Sequence, residues 1–291
     1  MLTRDHGWVE RTFATPEGFL AVPDNRIPRT GVLVLSGSSA RVEVDRVRLL
    51  AAHGAAALSI RWFGDFGQPP GICEVPLETF TPALDRLASL SEQLAVMGIS
   101  KGAEAALLLA ARDPRIRSVA AFSPSAVVWA NVGPGLDGAV RPCRSSWTAD
   151  GQPLPFVAYD DTWHPTDATA PSYRGLYERS LVTFDDQVAA ATIPVENIEG
   201  DVLVTGGGDD QVWPSDTFAA RIAQRRATHG RETTLAIDPA GGHRVTLPGE
   251  PTNPESGRTM ARGGSQDRDS AIGRRVWPLL LDLLQLTDPP A

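Results

Sequence analysis

Short, uninterrupted apolar runs recur along this chain and alternate with stretches of helical character, and that alternation most limits the folds open to it. Gly31 to Leu35 reads GVLVL, Ala56 to Trp62 AALSIRW, Leu94 to Ile99 LAVMGI, Ser118 to Phe122 SVAAF and Asp201 to Thr205 DVLVT. Runs that are apolar at nearly every position, rather than at every second one, suit strands covered on both faces. That is the condition of a parallel sheet between helix layers. Helical stretches lie between them: Val42 to His53 before Gly54, Pro76 to Leu90, Lys101 to Arg112 (KGAEAALLLAAR) and Ser215 to about Thr228. Parallel neighbours need crossover connections, which are right-handed almost without exception. A last strand is expected at Glu232 to Ile237 and a final helix near Asp269 to Leu286, with leading strands in residues 1 to 30. The predicted class is α/β, a mostly parallel, doubly wound sheet.

The rhythm breaks between Ser123 and about Glu199, a stretch rich in Pro, Gly, Ser and Trp with one convincing helix near Ser172 to Arg179. An irregular segment of that length generally shapes a site rather than merely connecting elements. The expectation is therefore one domain over residues 1–291, carrying an insert at about 123–199 after the sixth strand.

Composition removes several function classes. At 42% hydrophobic and 21% charged, a 291-residue chain has the make-up of a globular protein large enough to bury a central sheet. A formal net charge of -8 and the lack of any Lys/Arg cluster argue against a nucleic-acid partner. No apolar run approaches the roughly 18 residues of a membrane span. The first residues carry no apolar signal core, so the expected location is the cytoplasm. Cys73 and Cys143 leave room for one bridge and have no partner at metal-ligand spacing. His6, His53, His164, His229 and His243 are scattered, so neither a metal nor a cofactor is expected.

The chemistry is concentrated at Gly98-Ile99-Ser100-Lys101-Gly102, a G-x-S-x-G placed directly between an apolar run and an Ala/Leu helix. In that setting the motif reads as a nucleophile elbow: a strained turn lifts the serine hydroxyl above the sheet edge at a helix N-terminus. A plain strand-to-helix turn is the competing reading. The Lys101 amide would supply one oxyanion donor. The second is expected from the Ser36-Gly37-Ser38-Ser39 loop, with Ser38 preferred and Gly37 next, unless a serine there simply caps a helix. The Lys101 side chain is expected at the surface, without a catalytic role.

An orienting acid belongs in the loop after DVLVT. There Asp210 is preferred to Asp209, because Gly207, Asp210 and Pro214 match the G-x-x-D spacing with a following proline. The base belongs after the last strand, where His243 follows Gly241-Gly242. Trp129, Trp147, Phe156 and Trp163 in the insert are candidates to line a substrate site, although core packing explains them equally well.

Taken together, these segments resemble the C-terminal catalytic domain of the acyl-CoA thioesterase and bile acid-CoA:amino acid N-acyltransferase family. The resemblance is carried by Glu74-Val75-Pro76-Leu77-Glu78, Gly98 to Glu104 (GISKGAE), Arg144-Ser145-Ser146-Trp147, Pro153-Leu154-Pro155, Gly206 to Pro214, Gly242-His243, and Gly263-Gly264 before a terminal helix containing Trp277. It spans about residues 30 to 287. It implies the α/β-hydrolase fold and Ser–His–Asp acyl transfer from thioesters, with serine rather than cysteine favouring hydrolysis. The chain departs from the family in two places. Residues 1 to 30 are too short for the N-terminal β-sandwich of the animal enzymes, and Arg244 to Pro248 lacks the family's acidic-Pro-Pro run. The expected partner is a small acyl thioester or ester. A carboxylesterase or dienelactone-type hydrolase, an acyltransferase with a non-water acceptor, and a binding protein with a vestigial triad are the alternatives.

Overall fold

The structure is a computed structural model that describes residues 7–24, 27–138, 143–251 and 260–287. Of the histidines named above, His6 lies outside these residues.

The core of the molecule is an eight-stranded sheet. Its strands are β1 (Trp8–Ala14), β2 (Glu17–Pro23), β3 (Thr30–Leu35), β4 (Ala56–Ile60), β5 (Gln93–Ile99), β6 (Ile116–Phe122), β7 (Asp201–Gly207) and β8 (Thr234–Asp238). They lie in the order β1-β2-β4-β3-β5-β6-β7-β8. The β1–β2 hairpin joins antiparallel to β4, and every later pairing is parallel. This is the mostly parallel, doubly wound sheet that the alternating runs predicted, in the α/β-hydrolase arrangement that the resemblance implied.

Helices cover both faces, as continuous apolar strands require. Alternate residues of β3 show the division. Val32 and Val34 pack with Val47 and Leu50 of α1 (Val44–Ala52) and with Ile272 and Val276 of α7 (Gln266–Leu283). Leu33 and Leu35 face the other way, toward Leu84 of α2 (Thr81–Ala88), α3 (Lys101–Ala110) and Phe218 of α6 (Ser215–Thr228). All of α3 is buried, which accounts for its near-absence of polar residues.

Several boundaries differ from expectation for local reasons. The helix expected over Pro76 to Leu90 is a 3-10 turn, Leu77–Phe80, followed by α2, with Pro82 in the first turn of the helix, where a missing N–H costs no bond. Among its described residues the insert holds two α-helices rather than one, α4 (Arg174–Thr183) and α5 (Asp185–Ala191). It also completes a small three-stranded sheet in which Val75–Pro76 pairs with Trp147–Ala149, and that strand pairs with Gln152–Pro153. Cys73 and Cys143 are both free. No helix among the described residues is long and apolar enough to cross a membrane.

The register aligns the C-terminal strand ends. Leu35 lies opposite Gly98, Ile99 opposite Phe122, Phe122 opposite Thr205 and Gly207 opposite Asp238. The residues that follow, Ser36, Ser100, Ser123 and Gly208, therefore emerge along one rim.

Candidate active site

Ser100 stands on that rim with φ 58° and ψ -124°, outside the regions that L residues populate freely. Its amide donates to Phe122 O at 2.9 Å, and its carbonyl accepts from the Ala103 and Glu104 amides at 2.9 and 3.1 Å, which starts α3 at once. The flanking glycines make this turn sterically possible. A Cβ on Gly98 would sit 2.1 Å from Gly102 O, and one on Gly102 would sit 2.4 Å from Ser36 O. The elbow is pressed against the end of β3, and only hydrogen atoms fit between the backbones.

His243 lies in the loop between β8 and α7. Its Nδ1–H donates to Oδ2 of Asp210 at 2.8 Å, and both side chains are buried. Oδ1 of Asp210 accepts the Val212 and Trp213 amides at 2.8 and 3.2 Å, so the carboxylate is held on two sides. Asp209 points elsewhere, accepting the Gly264 amide at 2.8 Å and the Gln211 side-chain amide at 2.9 Å. Of the two carboxylates, Asp210 is therefore the one that meets the imidazole. The two loops meet backbone to backbone, since a Cβ on Gly207 would lie 2.3 Å from the carbonyls of Gly241 and Gly242.

Ser100 and His243 line one cleft of about 270 Å³, together with Gly37, Ser38, Ile99 and Val212. Gly37 lies against the serine: a Cβ added there would sit 3.0 Å from Ser100 Cβ and 3.6 Å from Oγ. Ser38 borders the same space. Lys101 opens α3, where a helix leaves its first amides without an intrahelical acceptor.

Two expectations need correcting. The Lys101 side chain is not at the surface but almost fully buried. Its Nζ donates to Glu104 Oε2 and to Ser146 Oγ, each at 2.9 Å. Glu104 also accepts the Trp147 indole N–H at 2.7 Å and the Trp129 amide at 3.3 Å. Burial pushes the Lys101 ammonium down and the Glu104 carboxyl up, while the attraction between them opposes both shifts. The aromatic candidates are the second correction. Trp129 and Trp147 are 0% exposed. Trp129 stacks on Tyr159, and Trp147 packs against Trp62. Phe156 packs partly buried on the same core. None of the three borders the cleft holding Ser100. Large rings with one polar atom are indistinguishable in sequence whether they line a site or fill a core.

The family model described as BAAT / Acyl-CoA thioester hydrolase C terminal matches residues 75–286. The chain belongs to this family. Among relatives, the mouse (Mus musculus) acyl-coenzyme A amino acid N-acyltransferase 1 is 26% identical over 270 residues, covering 89% of this chain and 60% of the relative. Human (Homo sapiens) acyl-coenzyme A thioesterase 1 is 27% identical over 236 residues, covering 79% and 52%. The chain thus spans about half to three-fifths of the length of these relatives. Solved structures agree on the fold. The acylaminoacyl peptidase of Pyrococcus horikoshii superposes with a TM-score of 0.57 at 12% identity, over 98% of this chain and 41% of that one. A dienelactone hydrolase-like phosphotriesterase from metagenomic libraries gives 0.54 at 18% identity, over 96% of each chain.

Three residues around the site, Glu104, Ser123 and Trp213, carry no role that the sequence alone assigns. Glu104 could have been found from its spacing, as the one acid three residues after Lys101 in an otherwise apolar helix. Ser123 gives no such signal, because its partners, His243 and Trp213, lie 120 and 90 residues away in the sequence.

Proposed function

We propose that this chain is a serine hydrolase acting on acyl thioesters, with Ser100 as nucleophile, His243 as general base and acid, and Asp210 as the orienting carboxylate. The 2.8 Å contact of His243 with the buried Asp210, together with the cleft that His243 lines beside Ser100, supports the reading. The family supplies the substrate class, since relatives are named as acyl-coenzyme A thioesterases and N-acyltransferases. We read residues 1–291 as one unit, with the segment at about 123–199 as its insert.

In this mechanism Nε2 of His243 takes the proton of Ser100 Oγ as the oxygen bonds to the thioester carbonyl carbon. The carbonyl oxygen becomes an oxyanion, held by the Lys101 amide and by the Ser38 or Gly37 amide. Each such donor contributes about 3 kcal/mol in comparable sites. Collapse breaks the C–S bond, and the imidazolium returns its proton to the thiolate. Water then attacks the acyl-enzyme with His243 as base, releasing the acid and restoring the hydroxyl. Asp210 fixes the imidazole tautomer and stabilises the imidazolium without taking its proton.

A second reading, transfer of the acyl group to an amine, is favoured by the N-acyltransferase among the relatives. Assays of acyl-CoA, acyl-pantetheine and p-nitrophenyl esters, with and without an amino acid acceptor, separate the two. Fluorophosphonate labelling identifies the nucleophile. Ser100→Ala is expected to keep its fold, lose turnover and lose the label. A labelled Ser100→Ala protein refutes the proposal.

A further inference from the structure

Ser123 immediately follows β6, and its φ of 45° lies in the left-handed region that favours glycine. A serine held there at a conformational cost invites the question of what its hydroxyl does. The residue is buried at 1% exposure, and each of its polar groups is engaged. Its amide donates to Thr205 O at 3.1 Å, its Oγ–H donates to His243 O at 3.0 Å, and its carbonyl accepts the Trp213 indole N–H at 3.0 Å.

These bonds close a ring. From Ser123 Oγ the path runs to the His243 carbonyl, then through the imidazole to Asp210 Oδ2 at 2.8 Å. From Asp210 Oδ1 it passes to the Trp213 amide at 3.2 Å, and the indole N–H returns it to the Ser123 carbonyl. The Trp213 ring also stands edge-on to the imidazole, with centroids 5.8 Å apart at 76°. The residue before Ser123 completes the connection, because Phe122 O accepts the Ser100 amide at 2.9 Å. One dipeptide, Phe122-Ser123, thus ties the loops that carry the hydroxyl, the carboxylate and the imidazole.

We infer that Ser123 and Trp213 are positioning residues that set the imidazole of His243 against both Asp210 and Ser100, acting through backbone groups and touching no substrate. This rests on the reading of Ser100, His243 and Asp210 given above. The hydroxyl fixes the base loop, and the indole N–H fixes the acid loop to the same point. A misplacement of about 1 Å at a reacting group costs on the order of a hundredfold in rate. Loss of either bond should therefore slow chemistry more than it weakens binding.

The test uses Ser123→Gly, Ser123→Ala and Trp213→Phe in the full chain. Glycine adopts the positive φ freely, so Ser123→Gly removes the hydroxyl without adding strain. Phenylalanine keeps a ring beside the imidazole while deleting the N–H. For each folded variant, the rate of fluorophosphonate labelling at Ser100, kcat and KM for the best ester or thioester, and the downfield proton resonance of His243 Nδ1 are measured. The wild-type labelling site tests the parent reading by itself, since absence of label on Ser100 would defeat that reading whatever the variants do. With the label established, the expected result is labelling and kcat reduced by roughly ten- to a hundredfold, KM within about twofold, and an Nδ1 resonance that is shifted or broadened. Variants that melt earlier yet label at the wild-type rate with an unmoved resonance would show a purely structural role and overturn the inference. A wild-type rate in Ser123→Gly alone would remove the hydroxyl from it. Should one variant fail to fold, the others decide.

Discussion

Replacing Lys101 by Met leaves the Glu104 carboxyl buried, with the Trp147 indole N–H at 2.7 Å and the Trp129 amide at 3.3 Å as donors to it. Burial already pushes this carboxyl above its ordinary 4.5 against the pull of the ammonium. Without the ammonium, the lower-energy folded state is the protonated acid. Protonating a group of pKa 4.5 costs about 1.4 kcal/mol per pH unit, hence about 4 kcal/mol at pH 7.5 and about 1 at pH 5.5. The sign follows from linkage. Above its ordinary pKa the unfolded state releases a proton that the folded variant keeps, so the variant loses stability as pH rises, and the loss vanishes below that pKa. The figure at neutral pH matches the roughly 3–5 kcal/mol typical of breaking a buried pair from one side. The lost hydrogen bond to Ser146 adds roughly 1 kcal/mol that does not vary with pH. Urea unfolding of wild type and Lys101→Met at pH 5.5, 6.5 and 7.5 is the assay. The double variant Lys101→Met/Glu104→Gln keeps an acceptor for Trp147 and should recover most of the loss at every pH. A penalty that is flat with pH, or larger in acid, would refute the reasoning.

Gly102→Ala would bring a Cβ to 2.4 Å from Ser36 O, and should lower stability by about 1–3 kcal/mol and reduce turnover together. Calorimetry showing an unchanged Tm would contradict the packing argument. Arg46→Met severs the two bonds to Glu250, at 2.5 and 2.8 Å, and one to Val245 O at 3.1 Å. It should cost about 3–5 kcal/mol and expose the chain after His243 to limited proteolysis. In the insert, hydrogen bonds from Thr162 and Thr183, with help from Arg179, hold the Asp160 carboxyl well below its ordinary 3.8. A depressed carboxyl stabilises above its unfolded pKa and loses that contribution as pH falls through the folded one. Asp160→Asn should therefore lower Tm at neutral pH, and the gap to wild type should close on acidification below the ordinary carboxylate range.

The fold was legible wherever burial on both sides forced continuous apolar strands, and the elbow was legible because its motif sat between such a strand and an Ala/Leu helix. Asp210 and His243 could be picked out by chain order and loop position, and their side chains are in contact in the structure. What stayed hidden depended on partners remote in sequence. Lys101 was expected at the surface because a lone lysine usually belongs there. Its burial depends on Glu104 one turn on and on Ser146, 45 residues away. The tryptophans of the insert carried no sign of whether their N–H groups would find buried acceptors. The second insert helix, α5, is short, reading DDQVAAA, and offers little apolar periodicity to detect.

The insert is more than a cover, because it contacts the site from several directions. Near its start, Ser123 holds the His243 carbonyl and Trp213. In its middle, Ser146 and Trp147 bond the buried pair on the elbow helix. Toward its end, the amides of Tyr173 and Arg174 donate to Gln211 O at 2.8 and 3.2 Å, and the Arg174 guanidinium reaches the carbonyls of Gly208 and Asp210. The 77-residue stretch numbered about 123–199 therefore bonds at several places to α3 behind Ser100 and to the loops that carry Asp210 and His243. A segment that only gated access could be exchanged without touching rate constants at the hydroxyl. Here an exchange would remove the Ser123, Ser146–Trp147 and Tyr173–Arg174 bonds at once, so under the proposed function the irregular sequence after β6 helps to set the geometry of the site.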